Sequence, residues 1–123
     1  MVERIEGLPE HVLGFNARGQ VTAADYETII IPAVEEMRLR HRRLHFLYHL
    51  GPEFTGFEAK ALWDDARLGI AHRKEWERIA VVTDLTWVHN VIAAFGFTMT
   101  GDTRIYGNEL YQEAVDWVAE GER

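Results

Sequence analysis

Short β-branched and apolar runs alternate with segments of helical periodicity along this chain, and that alternation constrains the fold more than any single motif. The clearest run is residues 78–83, which is nearly unbroken in apolar residues, as expected for a strand covered on both faces. Residues 44–50 and 104–106 form two further short strands. Two apolar segments near the amino terminus, 4–8 and 12–17, are separated by a tight connection at Pro9 and Glu10, which favours one antiparallel pair.

The predicted order is therefore ββαβαβαβα. Repeated βαβ units of this length imply parallel strands joined by right-handed crossovers. We expect one α/β domain over residues 1–123, with a mixed, mostly parallel sheet of about five strands and four helices.

Two helix starts carry capping signatures. Thr22 and Asp25 form a capping-box variant before the first helix, and Pro32 within that helix predicts a kink or a locally widened turn. Thr55 and Glu58 have the full capping-box spacing, which predicts that the second helix begins there. The expected buried stripe of this second helix consists of Leu62, Trp63, Ala66 and Ile70.

The last two helices are predicted from apolar spacing alone. A helix over about residues 85–95 is expected to bury Val88, Val91, Ile92 and Phe95. The final helix is expected to be capped by Asn108 and to bury one face formed by Leu110, Ala114, Trp117 and Val118.

Composition excludes several functional classes. The 13 basic and 20 acidic side chains give a net charge of −7, which opposes general nucleic-acid binding. With no cysteine and no serine, the chain has no disulfide, cysteine metal site or serine nucleophile. The acidic amino terminus lacks the basic patch of a signal peptide, and polar residues interrupt the longest uncharged stretch, so we expect a cytoplasmic protein without stable membrane insertion.

No catalytic constellation or cofactor motif is present, so we expect a protein that is not an enzyme and has no cofactor. His45 and His49 alternate along one strand and lie about 13 Å apart there, too far to share a metal ion. We expect these imidazoles to bond to neighbouring backbone and predict no metal site. The basic stretch over residues 38–43 is interpreted as the solvated carboxyl end of the first helix, and the alternative is a site for an acidic partner or an anionic ligand.

Three stretches together resemble the SpoIIAA-like family of the STAS-like structural group: Asp25-Tyr26 with Pro32, residues 61–65, and residues 77–84 with Trp87. The resemblance covers nearly the whole chain, and the order and spacing of the stretches carry it. It implies a small α/β domain with helices packed on a mixed sheet and no established catalytic role. Members of the wider group act as anti-sigma-factor antagonists or as regulatory domains attached to anion transporters and sensors.

The resemblance also suggests a regulatory residue. Glu53-Phe54-Thr55-Gly56 is similar to the acid-x-Ser-Gly stretch that carries the phosphorylated serine of anti-sigma-factor antagonists, which makes Thr55 the phospho-acceptor candidate. A phosphate there would add up to about two negative charges where a partner docks. The alternative is that Thr55 serves as a helix cap.

The aromatic residues suggest a crevice beyond the carboxyl ends of the strands, where open α/β sheets bind ligands. Its expected lining is Phe54, Phe57, Trp63 and Trp87, with Thr55 and Asp84 as polar anchors. The alternative is ordinary packing of these rings in the core or at an interface.

Two functional hypotheses follow. The first is a non-enzymatic regulatory or protein-interaction domain, self-associating as a dimer, whose partner surface includes Glu53, Phe54, Phe57, Trp63, Asp84 and Trp87. The alternative is a binding or carrier domain for a small apolar or lipid-like ligand held in the aromatic crevice.

Overall fold

In the part of the chain that the structure describes, five strands form a single sheet whose spatial order is the order of the chain. The computed structural model describes residues 1–72, 74–95 and 101–120, with the backbone alone for residues 92–95. The strands are β1 (Val2–Arg4), β2 (Val12–Val21), β3 (Leu44–Phe57), β4 (Trp76–Val82) and β5 (Asp102–Tyr106). β1 pairs antiparallel with β2, and every other pairing is parallel, which confirms the mixed, mostly parallel sheet.

Four helical segments in the described residues connect and cover these strands. The first is continuous and consists of α1 (Ala23–Asp25), a π-helical turn (Tyr26–Ile30) and α2 (Ile31–Arg40). The others are α3 (Ala59–Ala71), α4 (Thr86–Phe95) and α5 (Tyr111–Ala119), the last preceded by a 3₁₀ turn (Asn108–Leu110). The π-helical turn ends two residues before Pro32, in agreement with the widened turn expected from a residue that has no N–H to donate. No helix in the described part of the chain is long and apolar enough to cross a membrane.

The two faces of the sheet are covered unequally. The first face packs against the π-helical turn, α2, α3 and α4 in one large core whose members include Phe15, Tyr26, Val34 and Leu68. The second face packs against α5, which buries Ala114, Trp117 and Val118 on Leu47, Ala80 and Val82. This placement follows from three consecutive right-handed crossovers, which put their helices on the same side of a sheet.

The second helix does not begin at Thr55. Strand β3 continues through Phe57 because Phe54, Gly56 and Phe57 pair with Gly19, Gln20 and Val21 of β2. Gly56 has a φ of +147°, a conformation that only glycine adopts readily. Helix α3 therefore begins at Ala59. Glu58 occupies the N-cap position, but its side chain makes no capping hydrogen bond to this helix.

The predicted buried stripe of α3 is also wrong. The buried residues of α3 are Ala61, Asp64, Leu68 and Gly69. Leu62, Trp63 and Ile70 are 39%, 63% and 56% exposed. Helix α3 contacts α1 and the π-helical turn, and its large apolar side chains Leu62, Trp63 and Ile70 remain exposed outside that packing.

The remaining differences concern element ends. Strand β1 is Val2–Arg4 rather than residues 4–8, and Asn108 opens the 3₁₀ turn instead of capping α5. Leu110 is 40% exposed, whereas Ala114, Trp117 and Val118 are buried as predicted. In α4, Val88 is buried and Val91 half-buried, while the side chains of Ile92 and Phe95 lie outside the described residues.

Candidate functional site

Three of the four predicted crevice aromatics meet at the carboxyl end of the sheet. The ring centroids of Phe54 and Phe57 lie 5.0 Å apart, and Trp87 lies 6.0 Å from Phe54 and 6.3 Å from Phe57. Phe54 belongs to the first core, and Trp87 at the start of α4 is 41% exposed. These three residues form what we call the aromatic trio, which connects the interior with the surface between the β3 end and α4.

Trp63 is not a member of the aromatic trio. It lies on the outer side of α3, and no ring contact joins it to another aromatic residue in the described part of the chain. Together with Leu62 and Ile70 it forms an exposed surface, here called the α3 apolar face. An apolar pattern read from sequence does not distinguish such a surface from a buried stripe, because both have helical spacing.

Two buried tyrosines and the Asp65 carboxylate form a network, here called the buried polar network, next to Phe57 of the aromatic trio. Tyr48 contacts the ring of Phe57 edge to face at 6.1 Å, and its hydroxyl lies 3.1 Å from that of Tyr26. The Tyr26 hydroxyl donates to Oδ1 of Asp65 at 2.8 Å. Since Tyr26 has one hydroxyl hydrogen, the Tyr48 hydroxyl is the donor in the bond between the two tyrosines.

Loss of hydration governs the titration of this network. Burial, followed by the nearby Asp65 carboxylate, raises the pKa of Tyr26 and of Tyr48. Loss of hydration also raises the pKa of Asp65 and outweighs the opposing effect of the hydrogen bond from Tyr26. Neither periodicity nor spacing predicts this network, although Tyr26 and Asp65 both lie in the stretches that carry the family resemblance.

Thr55 lies exposed near the end of β3 and is not a helix cap. Its hydroxyl makes no hydrogen bond to any residue that the structure describes. The neighbouring Glu53 carboxylate lies 3.6 Å from the Arg18 guanidinium. The alternative interpretation of Thr55 as a cap is therefore wrong, and its hydroxyl is accessible from solvent.

Asp84 has a local structural role. Its Oδ1 accepts a hydrogen bond from the backbone N–H of Asn108 at 2.9 Å, and its Oδ2 accepts from the Asn108 amide nitrogen at 3.2 Å. These bonds tie the end of β4 to the turn that precedes α5. No hydrogen bond among the described residues joins Asp84 to Phe54, Phe57 or Trp87.

The two strand histidines bond within the protein. Nδ1 of His45 lies 2.6 Å from the backbone oxygen of Val118, as expected for a backbone-bonded imidazole. Nδ1 of His49 lies 2.7 Å from the side-chain oxygen of Asn16, which is a side-chain partner rather than the backbone partner predicted. Among the described residues no group of three possible metal ligands comes together.

The basic stretch at the end of α2 is largely paired. Arg38 binds Glu75 through two nitrogens, at 2.7 and 3.1 Å, and binds Glu35 at 2.7 Å. Arg40 lies 3.6 Å from Glu10. These ion pairs support the interpretation of the basic stretch as a solvated helix end, where glutamates of the same chain compensate the arginine charges.

Comparisons with known proteins agree with this architecture. Among solved structures, an uncharacterized protein from Shewanella loihica PV-4 with a SpoIIAA-like fold has a TM-score of 0.74 and 24% sequence identity, covering 97% of this chain and 93% of the other. Among curated proteins, none matches the chain. The SpoIIAA-like family model matches residues 12–119, from the start of β2 to the end of α5. The chain therefore belongs to the SpoIIAA-like family and has its STAS-like α/β fold.

Proposed function

We propose that the protein is a non-enzymatic, self-associating interaction domain in which the α3 apolar face is the contact surface. The observation that supports this proposal is the exposure of Trp63 at 63% and Ile70 at 56% on one helix. Clustered exposed apolar side chains mark interaction surfaces, and tryptophan is among the residues that contribute most to binding energy. Two copies related by a twofold axis would bury the same helix face on both sides.

Thr55 is proposed as the regulatory position of this domain. Its exposed hydroxyl is free of structural hydrogen bonds with the described residues, so a modifying enzyme has access without unfolding a helix start. A phosphate would add up to about two negative charges close to Glu53 and Glu58. Such charge would change the electrostatic interaction between this end of the sheet and a docking partner.

A second proposal, carriage of a small apolar ligand, is supported by the position of the buried polar network. Phe57 of the aromatic trio contacts the ring of Tyr48, whose hydroxyl belongs to that network, so in this proposal a molecule entering between the rings approaches a polar group. Binding pockets combine apolar walls with a few such polar groups. In this proposal the trio rings separate to admit the ligand.

Sedimentation velocity across micromolar concentrations tests the self-association. We expect wild-type protein to sediment as a dimer and Trp63→Ala to sediment as a monomer with unchanged thermal stability. Leu39→Ala is the matched control, because Leu39 on α2 is 85% exposed and lies outside the α3 apolar face. A monomeric wild type, or a dimer unaffected by Trp63→Ala, would contradict the proposed contact.

Native mass spectrometry of protein purified from its own host separates the two proposals. A retained apolar small molecule that is lost on Phe57→Ala supports carriage. Protein without bound ligand refutes it while leaving the dimer measurement unaffected.

A further inference from the structure

The outer side of α3 alternates small and large apolar residues. Four positions share that side because their spacings of four, three and four residues follow the helical period: Ala59, Trp63, Ala66 and Ile70. Trp63 and Ile70 are 63% and 56% exposed, whereas Ala59 is exposed and Ala66 half-buried. Each large side chain therefore follows a small one, so this stripe presents two projections and two shallow positions.

Such a stripe is complementary to a second copy of itself when the two helices run antiparallel. With the twofold axis midway between positions 63 and 66, Trp63 lies opposite Ala66 of the second copy, and Ile70 lies opposite Ala59 of the second copy. Large side chains then fill the shallow positions, as close helix packing requires. In a parallel twofold pair each residue meets its own counterpart, so two tryptophans would crowd each other and two alanines would leave a gap.

The two flanks of the stripe differ in polarity. Leu62, which is 39% exposed, lies on one flank, and Lys60 and Arg67 lie on the other. A twofold axis perpendicular to two antiparallel helices brings the same flank of both copies together, whereas a parallel pair brings opposite flanks together. The antiparallel pair therefore places Leu62 beside Leu62 of the second copy, while a parallel pair would place it against cationic side chains.

The charges on the polar flank also favour the antiparallel pair. Arg67 is exposed and forms no ion pair within the described part of the chain. In the antiparallel contact it comes beside Lys60 and Asp64 of the second copy, and Lys60 is paired with Glu27 of its own chain at 2.7 Å. Two carboxylates and one ammonium leave a net negative charge there, which attracts the Arg67 guanidinium.

We propose that two copies associate through an antiparallel α3–α3 contact in which Trp63 of each copy packs on Ala66 of the other. This contact rests on the self-association proposed above and gives it an orientation and a residue register. The two Ala66 residues are then three residues apart along the helix axis, or about 4.5 Å, and the two Ala59 residues are eleven residues apart, or about 17 Å.

Disulfide cross-linking of single-cysteine variants tests this register, because the native chain has no cysteine. A disulfide requires Cα atoms within roughly 7 Å of each other. We therefore expect mild oxidation to produce covalent dimers of Ala66→Cys but not of Ala59→Cys. Leu39→Cys, at an 85% exposed position on α2, measures random collision. Equal cross-linking of Ala59→Cys and Ala66→Cys, or cross-linking of Ala66→Cys no greater than that of Leu39→Cys, would overturn the proposal.

A charge reversal tests the polar flank by an independent measurement. Arg67→Glu should weaken dimerisation about tenfold in sedimentation velocity, at unchanged thermal stability, because the reversed charge meets the carboxylates of the second copy. Arg42→Glu is the matched control, since it makes the same change in net charge at an exposed arginine outside α3, and it should dimerise as the wild type does. Equal dimerisation of the two variants would contradict the antiparallel pairing of flanks.

The self-association and its register fail in different ways. A monomeric wild type refutes the self-association itself. A dimer that is lost in Trp63→Ala, but that cross-links through position 59 or does not cross-link through position 66, keeps the α3 apolar face as the contact and refutes the antiparallel register alone.

Discussion

Oε1 of Glu58 accepts a hydrogen bond from the backbone N–H of Ala23 at 2.8 Å, so the residue that precedes α3 stabilises the start of α1. Replacement of Glu58 by alanine leaves that N–H without its acceptor and should lower the free energy of unfolding by about 1 kcal/mol. Urea denaturation measures the loss. Glu53→Ala is the control, because Glu53 is exposed and its pairing with Arg18 is long; equal losses in both variants would contradict the assignment.

Thr22 and Thr55 have the same sequence signature but different structural roles. The Thr22 hydroxyl accepts from the Asp25 backbone N–H at 3.2 Å, and Asp25 accepts in return from the Thr22 N–H at 2.8 Å. Thr22→Ala should therefore cost about 1 kcal/mol, whereas Thr55→Ala should leave stability unchanged within experimental error. Thermal and urea denaturation of the two variants make the comparison, and equal losses in both would contradict the difference in role.

Arg38 stabilises the protein in a pH-dependent way through Glu75. Its hydrogen bonds lower the pKa of Glu75, so the stabilisation is present above the carboxyl group's unfolded pKa and is lost as pH falls through the folded pKa. Because both side chains are 32% exposed, Arg38→Gln should cost only about 1 kcal/mol near neutral pH.

At about pH 3 the free energies of unfolding of Arg38→Gln and the wild type should differ by less than they do near neutral pH. Urea denaturation at the two pH values measures it. A difference that stays constant with pH would show that Arg38 acts through packing of its aliphatic stem.

Tyr26 holds the buried polar network together, since it donates to Asp65 and accepts from Tyr48. Tyr26→Phe removes both bonds and should lower the free energy of unfolding by about 1–3 kcal/mol. Tyr106→Phe is the control, because the Tyr106 hydroxyl makes no hydrogen bond to a described residue. Equal stabilities of the two variants would contradict a structural contribution from the network.

Ultraviolet absorbance titration tests the same network by measuring the ionisation of its tyrosine hydroxyls. Of the 4 tyrosines, Tyr26 and Tyr48 should ionise only as the protein unfolds, because burial raises both pKa values. In Tyr26→Phe one fewer tyrosine should show that delayed ionisation. Four tyrosines that titrate together in folded protein would refute the burial of the network.

Hydrophobic periodicity was sufficient to predict the strand and helix order, because each βα unit buries one face that repeats in the sequence. It failed at α3, where Trp63 and Ile70 have helical spacing on the outer side. At Thr55 the capping signature was overridden by pairing of Gly56 with Gln20 of β2, a tertiary contact that no local pattern encodes.

The candidate sites were predictable only in part for the same reason. Phe54, Phe57 and Trp87 were expected to meet because strand ends share one edge of a parallel sheet. The pairing of Asn16 with His49 depends instead on the register between β2 and β3, which bulges shift further along the strands. Sequence spacing carries no information about that register.

The second face of the sheet packs against α5, the last helix to be synthesised, and this order has a consequence during synthesis. Every parallel pairing joins strands that are neighbours in the chain, so β2 to β5 can assemble as each crossover leaves the ribosome. Until α5 has emerged, however, Leu47, Ala80 and Val82 remain open to solvent or to a second nascent chain. Helix α5 thus protects this face of the sheet from aggregation. A ribosome stalled before Tyr111 would present a nascent chain whose second sheet face is apolar and exposed to solvent.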